Sequence, residues 1–253
     1  MPATIIDLSL PIQDTPEGVP AFQRVTIERT TNAQGGEDIE KNFGVPRERL
    51  RRGEGWAVET FTTFGTHSST HVDAPLHYNS VIQGEPAQSI DELPLEWFIA
   101  PGMKLDFRHK ADGDVITLAE VQAELARIGH TLQARDIVLM HTGRDDFAGQ
   151  ADYWLRGPGV SAEATVWLYG QGVRVMGIDA WGWDAPLHLQ AQAAQATEQP
   201  GVFWAAHQVD LPYSQIERLC NLGALPPSGF TVSALPLRLV RGSAAPARVV
   251  ALL

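Results

Sequence analysis

At 253 residues and 44% apolar content, the chain can bury the core of one large domain or two small ones. Lys+Arg 19 against Asp+Glu 30 leaves a net charge of −11, which argues against a nucleic-acid surface and against an anionic membrane as partner. The single cysteine, Cys220, excludes an internal disulfide and a cysteine-built metal cluster, and reads as a small buried apolar residue.

Met1 to Leu10 lacks a basic segment and is too short for the apolar part of a signal peptide. No run of 18 apolar residues occurs, so no transmembrane helix is expected and the expected location is the cytoplasm. Thr4 to Leu10 predicts a first strand, stopped by Pro11, and Arg24 to Arg29 predicts a second after the turn-rich Pro16 to Pro20. Thr31 to Gly55 is polar and glycine-spotted and reads as irregular. Its basic cluster, Arg47, Arg49, Arg51 and Arg52, is a solvated loop or short helix, with a lid near a metal as the functional alternative. Trp56 to Phe64 alternates in the manner of a strand and delivers the chain to the next stretch.

That stretch is Thr66-His67-Ser68-Ser69-Thr70-His71-Val72-Asp73-Ala74-Pro75-Leu76-His77, and it holds three of the chain's eight histidines. In a straight strand His67 and His71 would stand about 13 Å apart at roughly 3.3 Å per residue, too far to share an ion. The Ser68-Ser69-Thr70 link must therefore bend, and small hydroxyl residues suit a bend because they bond to nearby backbone. His71 and Asp73, two apart, project from one side of an extended segment. Pro75 ends that element and leaves His77 on a loop. Imidazoles with a carboxylate form a mixed N/O set usable by zinc, manganese or iron.

Farther on, a short helical turn is expected near Ser89 to Glu92 and a strand over Met103 to Phe107. Thr117-Leu-Ala-Glu120 is a capping box that opens a helix to about Ile128, closed by Gly129. Asp136 to His141 reads as a buried strand, Ser161 to Gly170 as a helix and Val173 to Ile178 as the next strand, a crossover unit. Phe230 to Val240 and Ala247 to Leu252 are the last predicted strands, and with no linker in view one domain over 1–253 is expected. Of the other histidines, His130 suits a helix C-terminus, His109 lies at the surface and His188 reads as structural. His141 ends a buried strand but has no carboxylate beside it in sequence. Phe64, Trp181, Trp183 and Trp204 flank the candidate ligands and together suggest apolar walls for a planar or aromatic small molecule.

The pattern His67-x-Ser69-Thr70-His71-x-Asp73-x-Pro75-x-His77 resembles the signature of the metal-dependent cyclase family that includes kynurenine formamidase and isatin hydrolase, with Ser69 in place of a glycine. Asp7-Leu8-Ser9, the segment Asp136 to Gly143, Gly177-Ile-Asp179, Gln215 to Leu222 and the C-terminal strands resemble further parts of that family, so the likeness spans most of the chain. It implies an α/β protein with a swivelling β/β/α fold, a mixed central sheet flanked by helices, in a homodimer or homotetramer. It also implies that His207 and Glu217 are distal metal ligands.

The leading expectation is a hydrolase of a small amide, formamide or lactam that uses one or two divalent ions, Zn2+ or Mn2+. His67, His71 and Asp73 would hold one ion and His207 with Glu217 the other, with Asp73 able to bridge. The ion would acidify water, and His77, outside the ligand set, would shuttle protons. No Gly-x-Ser-x-Gly elbow offers a serine route. A cyclase or dehydratase reaction on the same site, or a non-catalytic metal-binding protein, are the alternatives.

Overall fold

The structure, a computed structural model, describes residues 4–253, so the first three residues of the N-terminal segment and of the expected 1–253 domain lie outside it. Ile12–Gly65 forms one compact unit and the rest of the described chain forms the other. The larger unit opens with β1 (Ile5–Asp7).

The smaller unit carries β2 (Thr26–Thr30) and β3 (Val58–Thr63), paired antiparallel. Between them lies α1 (Asn32–Phe43), a helix where the sequence reads as irregular. Gly35 and Gly36 argue against a helix by propensity, yet packing requires them. A Cβ on Gly35 would stand 1.9 Å from the Trp56 carbonyl oxygen, and one on Gly36 2.4 Å from that of Gly53. Thr31 and Gln34 cap the first turn reciprocally, and Gly44 ends the helix in the left-handed region. The basic cluster forms two 3-10 turns, Arg47–Arg49 and Arg51–Gly53, in keeping with the short-helix reading.

The larger unit continues with β4 (His71–Asp73), the one-turn α2 (Pro75–Tyr78) and the small hairpin of β5 (Val81–Ile82) and β6 (Glu85–Pro86). Then come β7 (Ile99–Asp106), β8 (Val115–Ile116), α3 (Leu118–Ile128), β9 (Ile137–His141), β10 (Gly159–Val160), α4 (Ala162–Gly170) and β11 (Val175–Ile178). The chain ends with α5 (Leu187–Gln195), β12 (Ser214–Glu217), β13 (Phe230–Ser233), β14 (Ala244–Pro246) and β15 (Val250–Leu252). The expected strand from Phe230 to Val240 stops at Ser233. Pro236 follows closely, and proline cannot donate to a ladder.

Among the described residues nine strands form one mixed sheet, in the order β1-β15-β13-β7-β9-β11-β12-β4-β14. The run β7, β9, β11 and β12 is parallel, with α4 carrying the chain from β9 to its neighbour β11 as the crossover pattern predicts. Antiparallel strands flank it on both sides. Alternation along the strands divides the core between the two faces. Ile137, Leu139, Val72 and Ile216 enter one cluster, which also takes Ala245 of β14 and Ala251 of β15, so the two ends of the sheet curl over that face. Val138, Met140, Met176 and Ile178 enter the other, beneath Val121 and Leu125 of α3 and Ala164 and Leu168 of α4. Among the described residues no helix is long and apolar enough to cross a membrane.

Candidate metal centre

Val72 and Ile216 face each other in the β4–β12 ladder and point into the first cluster, so their neighbours turn to the opposite face. There Glu217 stands across from His71, and Gln215 from Asp73. Residues 66–70 bend as required, and His67 comes back to meet the strand. His67 Nε2 lies 3.1 Å and His71 Nε2 3.2 Å from the same atom, Asp73 Oδ1. His71 Nε2 also lies 3.6 Å from Glu217 Oε2. His71 and Asp73 are fully buried.

None of these contacts has the geometry of a hydrogen bond. The Nε2 atoms of His67 and His71 and both Asp73 oxygens are enclosed and have no hydrogen-bond partner among the described residues. Buried polar atoms left unpaired are costly, and four converging on one point is the pattern of a ligand set. Two triads offer atoms within 4.8 Å of one another: His71, Asp73 and Glu217, and His67, Asp73 and His77. The donor set fits a divalent ion bound through nitrogen and oxygen.

The backbone fixes which nitrogen faces the site. His71 Nδ1 lies 2.7 Å from the Ser69 carbonyl oxygen, so it donates there and presents Nε2 to the centre. The Thr66 hydroxyl lies 3.0 Å from His67 Nδ1. Ser69, where the family signature has glycine, is not among the residues with positive φ. Its hydroxyl bonds to the Leu10 carbonyl at 3.3 Å, so serine is accommodated without strain.

His77 is on α2, not on a loop, because Pro75 takes the first position of the turn, where its missing N–H costs nothing. Its ring centroid lies 4.1 Å from that of His67 and 5.1 Å from Trp204. Burial lowers its pKa to about 4 against the pull of Asp73, so the ring is neutral at neutral pH.

His207 comes from a turn-rich segment and is buried. Its Nδ1 lies 2.5 Å from Asp184 Oδ2, and its Nε2 3.5 Å from Glu217 Oε1. Burial opposes a charge there, but the Asp184 and Glu217 carboxylates outweigh it and raise His207 to about 10. An ion at Nε2 would compete with that proton. Glu217 is the last residue of a strand, buried, and accepts from the Trp183 backbone N–H at 2.8 Å. The alternative of an exposed helical glutamate is excluded.

Asp184 escaped the sequence reading. It also accepts from the backbone N–H groups of Ala206 and His207, each at 3.0 Å, which locks the His207 ring against it. Nothing near position 184 signals a pairing 23 residues away.

The remaining candidates separate. His130 sits 3.1 Å from Asp136, and His109 is exposed. His141 does have a carboxylate near it, Asp179 at 3.9 Å, the residue that follows the adjacent strand β11. Of the aromatic residues, Trp204 stacks on His207 at 4.9 Å and an interplanar angle of 12°. Trp183 is a core residue bonded to Thr165, not a wall of the site, and Phe64 pairs with Phe61 in the smaller unit.

A family model described as "Putative cyclase" matches residues 6–185. Kynurenine formamidase from Salinibacter ruber is 29% identical over 202 residues, covering 73% of this chain and 75% of that protein. Isatin hydrolase from Roseibium aggregatum is 30% identical over 206 residues, covering 74% and 72%. Among solved structures, an isatin hydrolase bound to the product analogue thioisatinate superposes with a TM-score of 0.76 at 22% identity, over 99% of this chain and 92% of that one. That likeness shows the fold, the mixed central sheet with its helices. His207 and Glu217 lie beyond the residues that the family model matches, so geometry alone joins them to the motif.

Proposed function

The chain belongs to the cyclase family, and from that membership we infer a metal-dependent hydrolase of the C–N bond in a small amide, formamide or lactam. One observation carries the reading. The enclosed, unpartnered Nε2 atoms of His67 and His71 meet the unpartnered Asp73 carboxylate, with Glu217 facing them across the sheet. His67, His71 and Asp73 would hold one divalent ion, Zn2+ or Mn2+, and His207 with Glu217 a second, with Asp73 able to reach both. Such an ion supplies Lewis acidity, which acidifies water and polarises a carbonyl.

The chain's own groups do the rest. The Ser69 carbonyl and the Asp184 carboxylate hold the rings of His71 and His207 with Nε2 turned to the centre. His77, whose burial leaves it neutral, would accept a proton from the attacking water only in passing and hand it to the leaving nitrogen. Trp204, stacked on His207 and 5.1 Å from His77, would form one apolar wall for a planar substrate.

The smaller unit supports a homodimer or homotetramer. All six residues of β3 are exposed, among them Val58 and Phe61, and Phe22 and Phe43 are also exposed. A two-stranded hairpin is marginal alone in water, and a partner covering these side chains would add apolar burial. Sedimentation would test this. A cytoplasmic location and one functional domain over 1–253 belong to the same proposal.

The deciding experiment is a screen of N-formyl aromatic amines, cyclic amides and lactones in heavy-oxygen water. Solvent oxygen in a newly formed carboxylate is the expected result. Turnover without solvent oxygen would point to cyclisation or dehydration instead.

A further inference from the structure

Arg218 is the only buried arginine among the described residues, at 6% exposure, and it is among the least satisfied. Arg144 shows what a structural arginine looks like in this chain. It donates Nε to Asp112 at 2.7 Å and its terminal nitrogens to the Thr142 and Lys110 carbonyls at 3.0 and 2.6 Å. Arg108, Arg127 and Arg248 each fork onto one carboxylate. Arg218 donates only Nε to the Trp181 carbonyl, at 3.4 Å, and lays its guanidinium 4.8 Å from the centre of the Trp181 ring. Its terminal nitrogens meet no carboxylate or carbonyl among the described residues, and the residue keeps 6% of its surface exposed.

The placement is held firmly. Arg218 has a φ of 59°, a region that a residue with a side chain occupies at a cost. Its N–H donates to the Ala180 carbonyl at 3.1 Å, and its carbonyl accepts from the Thr70 hydroxyl at 2.5 Å. It directly follows Glu217, and its charge is felt at Asp73, Glu217 and His67. A desolvated guanidinium with its fork open, one residue after Glu217, is suited to bind a planar anion with two oxygens.

We propose that Arg218 is the carboxylate-binding residue of this site, receiving a substrate or product carboxylate on its terminal nitrogens with Trp181 as its platform. The proposal rests on the hydrolase reading. When a C–N bond is hydrolysed, the water oxygen bonds to the carbonyl carbon, the C–N bond breaks, nitrogen takes a proton and the carbon leaves as a carboxylate. That group, or one the substrate already bears, is the ligand in view.

The test is calorimetric titration of benzoate and its neutral counterpart benzamide into wild type, Arg218→Met and Arg218→Lys, metal-loaded and after chelation. Wild type should prefer benzoate by about tenfold or more, as expected for a charge-assisted fork, with and without metal. Arg218→Met should lose that preference and Arg218→Lys keep part of it. A preference that survives intact in Arg218→Met, or that vanishes from wild type on chelation, overturns the proposal. If Arg218→Met fails to fold, wild-type crystals soaked in benzoate decide. A carboxylate on Arg218 supports the proposal, and one seated elsewhere contradicts it. The ratio of kcat/KM for N-formylanthranilate over formanilide separates the sources. A fall of tenfold in Arg218→Met marks a carboxylate borne by the substrate, and an unchanged ratio with lost benzoate binding marks the one released. Failure of the hydrolase reading would appear separately, as no bound metal and no amide turnover, while the titration after chelation still reports on Arg218.

Discussion

Glu217 and His71 occupy directly opposed positions of the antiparallel β12–β4 ladder, with Oε2 3.6 Å from Nε2. Backbone pairing therefore fixes the distance between a motif residue and a carboxylate 146 positions later in the chain (217 − 71). Glu217→Gln keeps the ladder and an oxygen for the Trp183 N–H but replaces a carboxylate with a weaker ligand. It should weaken one metal position while the ion on His67, His71 and Asp73 stays tightly bound. An unchanged metal titration with an unchanged rate would remove Glu217 from the site.

His77 offers a nitrogen to the triad with His67 and Asp73, so its role as proton carrier has a direct competitor, that of ligand. His77→Ala should keep the metal and the fold while losing about 10²–10⁴ in rate, the usual worth of a positioned proton carrier. His77→Asn, which holds a hydrogen bond but carries no proton at neutral pH, should be nearly as slow. Metal content and single-turnover rates check both variants. Loss of metal in both would make His77 a ligand.

Much of this centre is legible in the sequence because its ligands are close together. The bend at Ser68 to Thr70 and the shared side of His71 and Asp73 follow from spacing and strand geometry, and both are present. Residues joined only by tertiary pairing are another matter. Asp184 reaches His207 across 23 residues, and Arg218 reads as no more than the neighbour of a glutamate until its burial is seen. Propensity misled at α1, where Gly35 and Gly36 suggest a loop but are chosen by the close approach of the Trp56 and Gly53 backbone.

That approach gives a stability test. Gly35→Ala would push a methyl group to 1.9 Å from the Trp56 carbonyl oxygen, so the backbone must move. Overpacking of this kind costs about 1–3 kcal/mol. Hydrogen exchange should speed up in α1 and in β3. Unchanged protection there would show that the helix tolerates the methyl group.

Acid should weaken the α3 capping box. Glu120 bonds to Lys110 and to the N–H and hydroxyl of Thr117, each at 2.8 Å. The Lys110 ammonium, then Thr117, lower its pKa from 4.5 to about 2 against a smaller effect of burial. A depressed carboxyl pKa stabilises the fold above its unfolded value and ceases to do so as pH falls through the folded one. Wild type should therefore be more stable than Glu120→Gln at pH 7, with the difference shrinking from about pH 4.5 towards about pH 2. Thermal melts of the two proteins across that range check it, and a constant difference would contradict it.

The central claim is that the atoms converging on Asp73 hold a divalent ion. Elemental analysis of wild type and His71→Ala, each purified without added metal, tests this most directly. The account predicts one or two equivalents of Zn2+ or Mn2+ in wild type. In a folded His71→Ala the ion and the activity should be lost together, because a buried imidazole whose Nδ1 is already fixed by Ser69 is removed from the centre. Stoichiometric metal retained in His71→Ala would contradict it.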